Sequence, residues 1–224
     1  MELWNDLHFI DKPFVDDGVF PVINMTASVL SSVEVIKNAV KVLSVNINKT
    51  TAERALFARY LVHVVGDIHQ PLHSVSLFNS TYPSGDRGGN SLKIVLLNGT
   101  VENLHSFWDS GAYRIQNDSW FMVRPLSLQN TTALKEVAVG YIKTYGPQIE
   151  KLAEDIEPMN WAMESYRFAQ NTTYPPNFTS NKISQQYSDL AYETAKNRVT
   201  LAGYRIANLV MSIYGKGLPE IVVS

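Results

Sequence analysis

A chain of 224 residues with 45% hydrophobic content is long enough to bury one full core. Its net charge of −2 excludes the broad basic footprint of a protein that grips duplex nucleic acid through phosphates alone. The absence of cysteine excludes disulfides and thiolate chemistry, and no apolar run approaches the roughly 20 residues that span a bilayer.

Residues 1–25 read as a helix end and loop, broken by Pro13, Gly18 and Pro21. Thr26 is placed to cap a helix over 27–45, with Val29, Leu30, Val33, Ile36, Val40 and Leu43 along one side. Thr50 and Glu53 form a capping-box pattern for the next helix, 51–70. That helix is apolar nearly all round, from Leu56 to Ile68, which predicts a central position. Residues 74–90 are rich in Gly, Ser, Asn and Pro and read as a loop. An apolar run from Leu92 to Leu97, the turn Asn98-Gly99 and a return strand from Val101 predict a hairpin. Helical pattern resumes over 105–113, 131–156 and 158–169, with Pro147 expected to break or start a helix. A long final helix runs from Ser184 to Tyr214, with apolar positions at Leu190, Ala195, Val199, Ala202, Ile206 and Leu209. No repeat, linker or low-complexity tract interrupts the chain. The expected architecture is one mostly α domain over 1–224 with a small β-hairpin.

Three of the five histidines fall within His63-Val-Val-Gly-Asp67-Ile-His69-Gln-Pro-Leu-His73. His63 and Asp67 are four apart and share one face of a helix. Pro71 ends that helix near Gln70, so His73 can turn back toward the same region. His105 and Asp109 repeat the four-residue spacing, and His8 stands near an acidic neighbour at Asp11. Imidazole and carboxylate are the usual oxygen and nitrogen ligands of zinc. A buried His–Asp pair explains either spacing alone; the repetition favours a metal.

These motifs resemble the class I nuclease/3′-nucleotidase family, which includes mung bean nuclease and the fungal single-strand-specific nucleases. The resemblance rests on H-x3-D-x-H-Q-P-L-H at 63–73, Gly85-Asp86-Arg87-Gly88-Gly89-Asn90, and Asn103-Leu104-His105-Ser106-Phe107-Trp108-Asp109. Leu7-His8-Phe9-Ile10-Asp11 and Leu201-Ala202-Gly203-Tyr204-Arg205 extend it over residues 8 to about 210. It implies a helical zinc phospholipase C/nuclease-like fold and three zinc ions in a cleft. By resemblance His73, His105 and Asp109 form one complete zinc site. His8 and His63 belong to a second, and Asp67 bridges to a third. Phe9, Asp11 and Asn90 resemble residues that contact substrate, while His69 reads as structural or supporting. No side-chain nucleophile is required, because the implied nucleophile is a zinc-activated water.

The implied activity is hydrolysis of single-stranded DNA and RNA to 5′-nucleotides, with 3′-nucleotidase activity on nucleotides. Alternatives are a zinc phospholipase C-type phosphodiesterase, or an inactive fragment that only binds zinc. Eight Asn-x-Ser/Thr sequons, at Asn24, Asn48, Asn79, Asn98, Asn117, Asn130, Asn171 and Asn177, predict N-glycans and a secreted or lysosomal location. No signal peptide precedes His8, and the family's further zinc ligands lie upstream of that position. The expectation is that an N-terminal part of the family's domain is missing, leaving one complete zinc site.

Overall fold

The structure is a computed structural model that describes residues 7–15, 31–44, 50–115, 125–174 and 181–215. Helices dominate it, as the sequence patterns predict. Four of them surround one core: α1 (Ser32–Ser44), α2 (Thr51–His69), α5 (Pro158–Phe168) and α6 (Gln185–Tyr214). Val33, Ile36 and Leu43 of α1 meet Leu61, Val64 and Ile68 of α2, with Trp161 of α5 and Leu209 of α6 closing the cluster. Thr26 and residues 27–30 lie outside the described residues, where α1 begins at Ser32.

The capping box of α2 forms as expected. Glu53 N–H donates to the Thr50 hydroxyl at 3.2 Å, and Thr50 N–H donates to the Glu53 carboxylate at 2.8 Å. The expectation that α2 is buried on all sides is corrected. Leu61, Val64, Val65, Ile68 and His69 face inward, but Leu56 and Val62 are about half exposed, at 49% and 51%. α2 is therefore a wall with an apolar outer surface, and His63 and Asp67 lie on its edge.

A second core lies beneath α3 (Leu104–Asp109) and the first turns of α6. Leu72, Leu92, Ile94, Leu104, Phe107 and Trp108 pack there with Tyr174 and Tyr187. The expected hairpin is present: β3 (Lys93–Val95) and β4 (Val101–Asn103) pair antiparallel around Asn98-Gly99. Gly99 takes φ +86°, the left-handed conformation that the turn needs.

Other expectations need correction. The segments read as loops at 1–25 and 74–90 contain β1 (Pro13–Val15) and β2 (Ser76–Phe78), which pair in parallel. Strands of three residues are too short to show a period of two. The helix read over 105–113 stops at Asp109, and Gly111, Ala112 and Tyr113 all take positive φ. Pro147 lies inside α4 (Leu128–Ile149) without ending it at that point. Its neighbour Gly146 has no Cβ to clash with the proline ring, and the helix closes two residues later. In α6, Leu190 and Val199 are half exposed, while Arg198 and Arg205 are buried.

Candidate metal centre

The parallel pairing of β1 and β2 explains how His8 reaches the histidines of residues 63–73. Ile10 N–H donates to the His73 carbonyl at 2.8 Å, and Ser76 N–H donates to the Lys12 carbonyl at 2.9 Å. Residues 8–15 thus run alongside 73–78. His8 is delivered to the last turns of α2, where His63 and Asp67 project one turn apart.

Two groups of three ligands result among the described residues. In the first, His8 Nδ1 lies 2.9 Å from Asp67 Oδ2, and His63 Nε2 lies 3.3 Å from the same oxygen. The two ring nitrogens face each other at 3.0 Å. In the second, His73 Nε2 and His105 Nε2 lie 3.2 and 3.4 Å from the Asp109 carboxylate. Within each group the ligand atoms all lie within 4.8 Å of one another. The sequence suggested only one full set. Asp67 completes a second by turning its carboxylate between His8 and His63.

The donor chemistry fits a cation such as zinc. His73 Nδ1–H donates to the His8 carbonyl at 2.9 Å, and His105 Nδ1–H donates to the Gly88 carbonyl at 2.7 Å. Each ring therefore presents Nε2 and its lone pair toward Asp109. A backbone acceptor on the far nitrogen is the usual way a ligating imidazole is oriented. Gln70 Nε2 donates to Asp109 Oδ1 at 2.7 Å and steadies the carboxylate. Gln70 also caps the short 3-10 helix Pro71–Ser74, its Oε1 accepting from Leu72 N–H at 2.5 Å. One residue thereby couples the end of α2 to the ligand at the end of α3.

The 85–90 loop supplies the carbonyl that orients His105. Buried Asp86 anchors this loop: its carboxylate accepts from Leu77 N–H at 2.8 Å and from the Tyr174 hydroxyl at 2.7 Å. Gly88 takes φ +60°, and a Cβ there would meet the Leu72 carbonyl oxygen. The G-D-x-G-G-N pattern is thus explained by backbone geometry around His105. Asn90 is exposed, and its amide donates to the Arg87 carbonyl at 2.9 Å within the same turn.

Electrostatics follow burial and these contacts. Burial lowers the His73 pKa, but hydrogen bonding to Asp109 and the charges of Asp67 and Asp109 carry it above the usual value. Burial dominates at His105 and lowers it, against the pull of Asp109. Asp109 is pushed up by burial, yet the His73 hydrogen bond and the neighbouring imidazoles leave its pKa below the ordinary value. Asp109 therefore stays ionised, as a ligand must.

Both groups open on one cleft of about 640 Å³. Its opposite wall is α6, through Ala195, Arg198, Val199, Ala202, Gly203 and Ile206. Trp108, Gly111 and Ile115 line it further. Phe9 and Asp11 are half-buried beside His8 in the chain; neither they nor Asn90 are among the cleft-lining residues. His69, within the same histidine-rich stretch, points away into the core and is 1% exposed. Its Nδ1–H donates to the Val65 carbonyl at 2.7 Å, and Nε2 accepts from Arg205 Nη1–H at 2.8 Å. Burial first, and then the charges of Arg198 and Arg205, hold its pKa well below the usual value.

The chain matches the S1/P1 Nuclease family model over residues 1–215. It belongs to the S1/P1 nuclease family. Nuclease S1 of Aspergillus oryzae (strain ATCC 42149 / RIB 40) is 27% identical over 188 residues, which cover 79% of this chain and 60% of that relative. Nuclease P1 of Penicillium citrinum is 27% identical over 176 residues, covering 72% and 59%. Nuclease PA3 of a Penicillium species shows the same identity and coverage. This chain thus spans about 60% of the length of the curated relatives it matches. The sequence did not single out Glu164 and Ser165, nor the contacts that Gln70 and Arg198 make. A sequence signal did exist for the arginines: Arg198 and Arg205 are seven apart and share the stripe of Ala191 and Leu209. A charge on a core stripe demands a buried partner.

Proposed function

We propose that this chain is a zinc-dependent hydrolase of phosphodiester bonds in single-stranded DNA and RNA, releasing 5′-nucleotides, with 3′-nucleotidase activity. The observation that carries the reading is the convergence of two His/His/Asp groups on one cleft. His73, His105 and Asp109 would hold one ion, and His8, His63 and Asp67 another. Bound there, zinc would supply Lewis acidity to activate water and to offset phosphate charge.

The chain's own residues do the rest. Asp67 and Asp109 repel a phosphodiester, so anionic substrate enters only when cations offset them. Gln70, the Gly88 carbonyl and the His8 carbonyl fix the ligands before substrate arrives, which removes reorganisation from the reaction. The α6 wall is apolar at Ala195, Val199, Ala202 and Ile206, and its one cation, Arg198, is paired with Glu164, so the wall accepts a sugar or base rather than a second phosphate. Phe9 and Asp11, beside His8, are proposed to contact the base, and Asn90 to approach the substrate from the 85–90 turn.

A phospholipase C-type activity would use the same metal chemistry, and the family match favours the nuclease. The test is to incubate the zinc-loaded chain with single-stranded DNA, 3′-AMP and phosphatidylcholine vesicles. Release of 5′-nucleotides from DNA and of phosphate from 3′-AMP is expected, with phosphatidylcholine unchanged. Hydrolysis of phosphatidylcholine alone would overturn the reading.

The proposal extends to a secreted or lysosomal glycoprotein. Asn98 and Asn171 are exposed, with Asn98 at the tip of the β3–β4 turn; Asn79 and Asn130 are partly exposed. The sequons at Asn24, Asn48, Asn117 and Asn177 lie outside the described residues. No helix among the described residues is long and apolar enough to cross a membrane. A mass shift on treatment with an N-glycosidase, in material expressed through a secretory pathway, is the expected outcome.

A further inference from the structure

From Arg198 on the α6 wall of the cleft a cluster of buried charge extends into the core, and the proposed chemistry does not use it. Arg198 and Arg205 are 3% and 0% exposed. Both donate to Glu164: Arg198 Nη1 at 3.1 Å, and Arg205 through Nη1 and Nη2 at 2.8 and 2.7 Å. One carboxylate therefore faces two guanidinium groups in the core. Such an arrangement is a poor source of stability, because desolvating the charges offsets their attraction. Arg205 Nη2 also donates to the Leu152 carbonyl at 3.0 Å, and the other bonds of the cluster reach the C-terminal end of α2. Arg198 Nε donates to the His69 carbonyl at 3.1 Å. Its Nη2 donates at 2.9 Å to the Ser165 hydroxyl, which itself donates to the Ile68 carbonyl at 2.6 Å. Arg205 donates to His69 Nε2, and His69 returns a bond to the Val65 carbonyl.

Three carbonyls in the last turns of α2, those of Val65, Ile68 and His69, are thus held from inside the core. That end is where the two ligand groups join. Asp67 of the first group precedes it, and His73 of the second follows it, with Gln70, the partner of Asp109, between them. We propose that Arg198 and Arg205, with Glu164 and Ser165, are positioning residues that fix the spacing between the two metal groups by clamping the last turn of α2. A guanidinium suits this task because its planar fork sets direction as well as charge. The cluster touches no ligand atom, so it acts through the backbone.

This inference rests on the reading of the two groups as metal sites, and the unaltered chain tests that reading separately. Zinc affinity is measured by competition with a chromophoric chelator on the full 224-residue chain. Circular dichroism of the metal-free protein reports how much is folded. Groups bonded directly to a ligand cost about 10- to 100-fold in metal affinity when removed, which sets the upper bound for a cluster that acts through the backbone. Arg198→Met and Arg205→Met are expected to weaken both groups together, severalfold and up to about 10-fold per folded molecule, and Arg198→Lys is expected not to restore it. Ser165→Ala removes only one hydroxyl and is expected to weaken both groups severalfold, so it carries the test where the arginine variants do not fold. If Ser165→Ala and Arg198→Lys both bind zinc as the unaltered chain does, the clamp is wrong and the cluster is structural only. If the unaltered chain binds no zinc, the metal reading falls and this inference falls with it.

Discussion

The two ligand groups use the same three residue types and are built to different standards. His73 and His105 are mostly buried, at 12% and 16% side-chain exposure, and each far nitrogen is fixed on a backbone carbonyl. Asp109 is held by Gln70. His63, by contrast, is 57% exposed, and the ring nitrogens of His8 and His63 meet each other and Asp67 rather than a backbone carbonyl. The second group is ordered before any ion arrives. In the first, a bound ion would have to complete the order. Preorganised ligands bind tighter because less freedom is lost on binding.

The largest effect should come from the braced group. Asp109→Ala or His73→Ala is expected to reduce phosphodiester hydrolysis to background and to remove one ion. A variant that keeps full activity would break the assignment of that group. Next, Gln70→Ala should lower affinity at the second group by about 10- to 100-fold while sparing the first, the size expected for an outer partner. Equal loss at both groups would show that Gln70 acts through the helix end rather than through Asp109. A chelator titration should then strip the first group before the second. The reverse order would contradict the difference in bracing.

How far the sequence reveals these two groups depends on the kind of contact that builds them. His63/Asp67 and His105/Asp109 are legible because four residues make one helical turn, and Pro71 marks the end of α2. The β3–β4 hairpin is legible through Asn98-Gly99. β1 and β2 are hidden, since their pairing is parallel, three residues long and separated by some sixty residues of chain. Without that pairing His8 has no visible route to Asp67, and the first group looks incomplete. The Glu164–Arg198–Arg205 cluster is hidden for a similar reason: its partners come from α5 and α6, 34 and 41 residues apart. Periodicity reports which face a residue occupies, and says nothing of which distant charge it meets.

A smaller effect concerns acid stability, measured on metal-free protein. His69 has a lowered folded pKa, so the native state stays neutral there while the unfolded chain takes a proton below about pH 6.5. Unfolding is then favoured as pH falls, by about 1.4 kcal/mol per pH unit for one proton. Glu164 is also lowered: burial raises it, but the hydrogen bonds and charges of Arg205 and Arg198 win. Its contribution is present above the unfolded carboxylate value, about 4.3, and is lost as pH falls through the folded value. Denaturant titrations from pH 7 to 5 should show a shallower slope in His69→Gln than in the unaltered chain. Identical slopes would mean that His69 accepts a proton in the fold.

Zinc stoichiometry tests the central claim most directly. Equilibrium dialysis of the 224-residue chain against zinc, followed by elemental analysis, should give two ions held by the described ligands, and one in either Asp67→Ala or Asp109→Ala. No bound zinc in the unaltered chain, or the same count in all three proteins, would contradict the account.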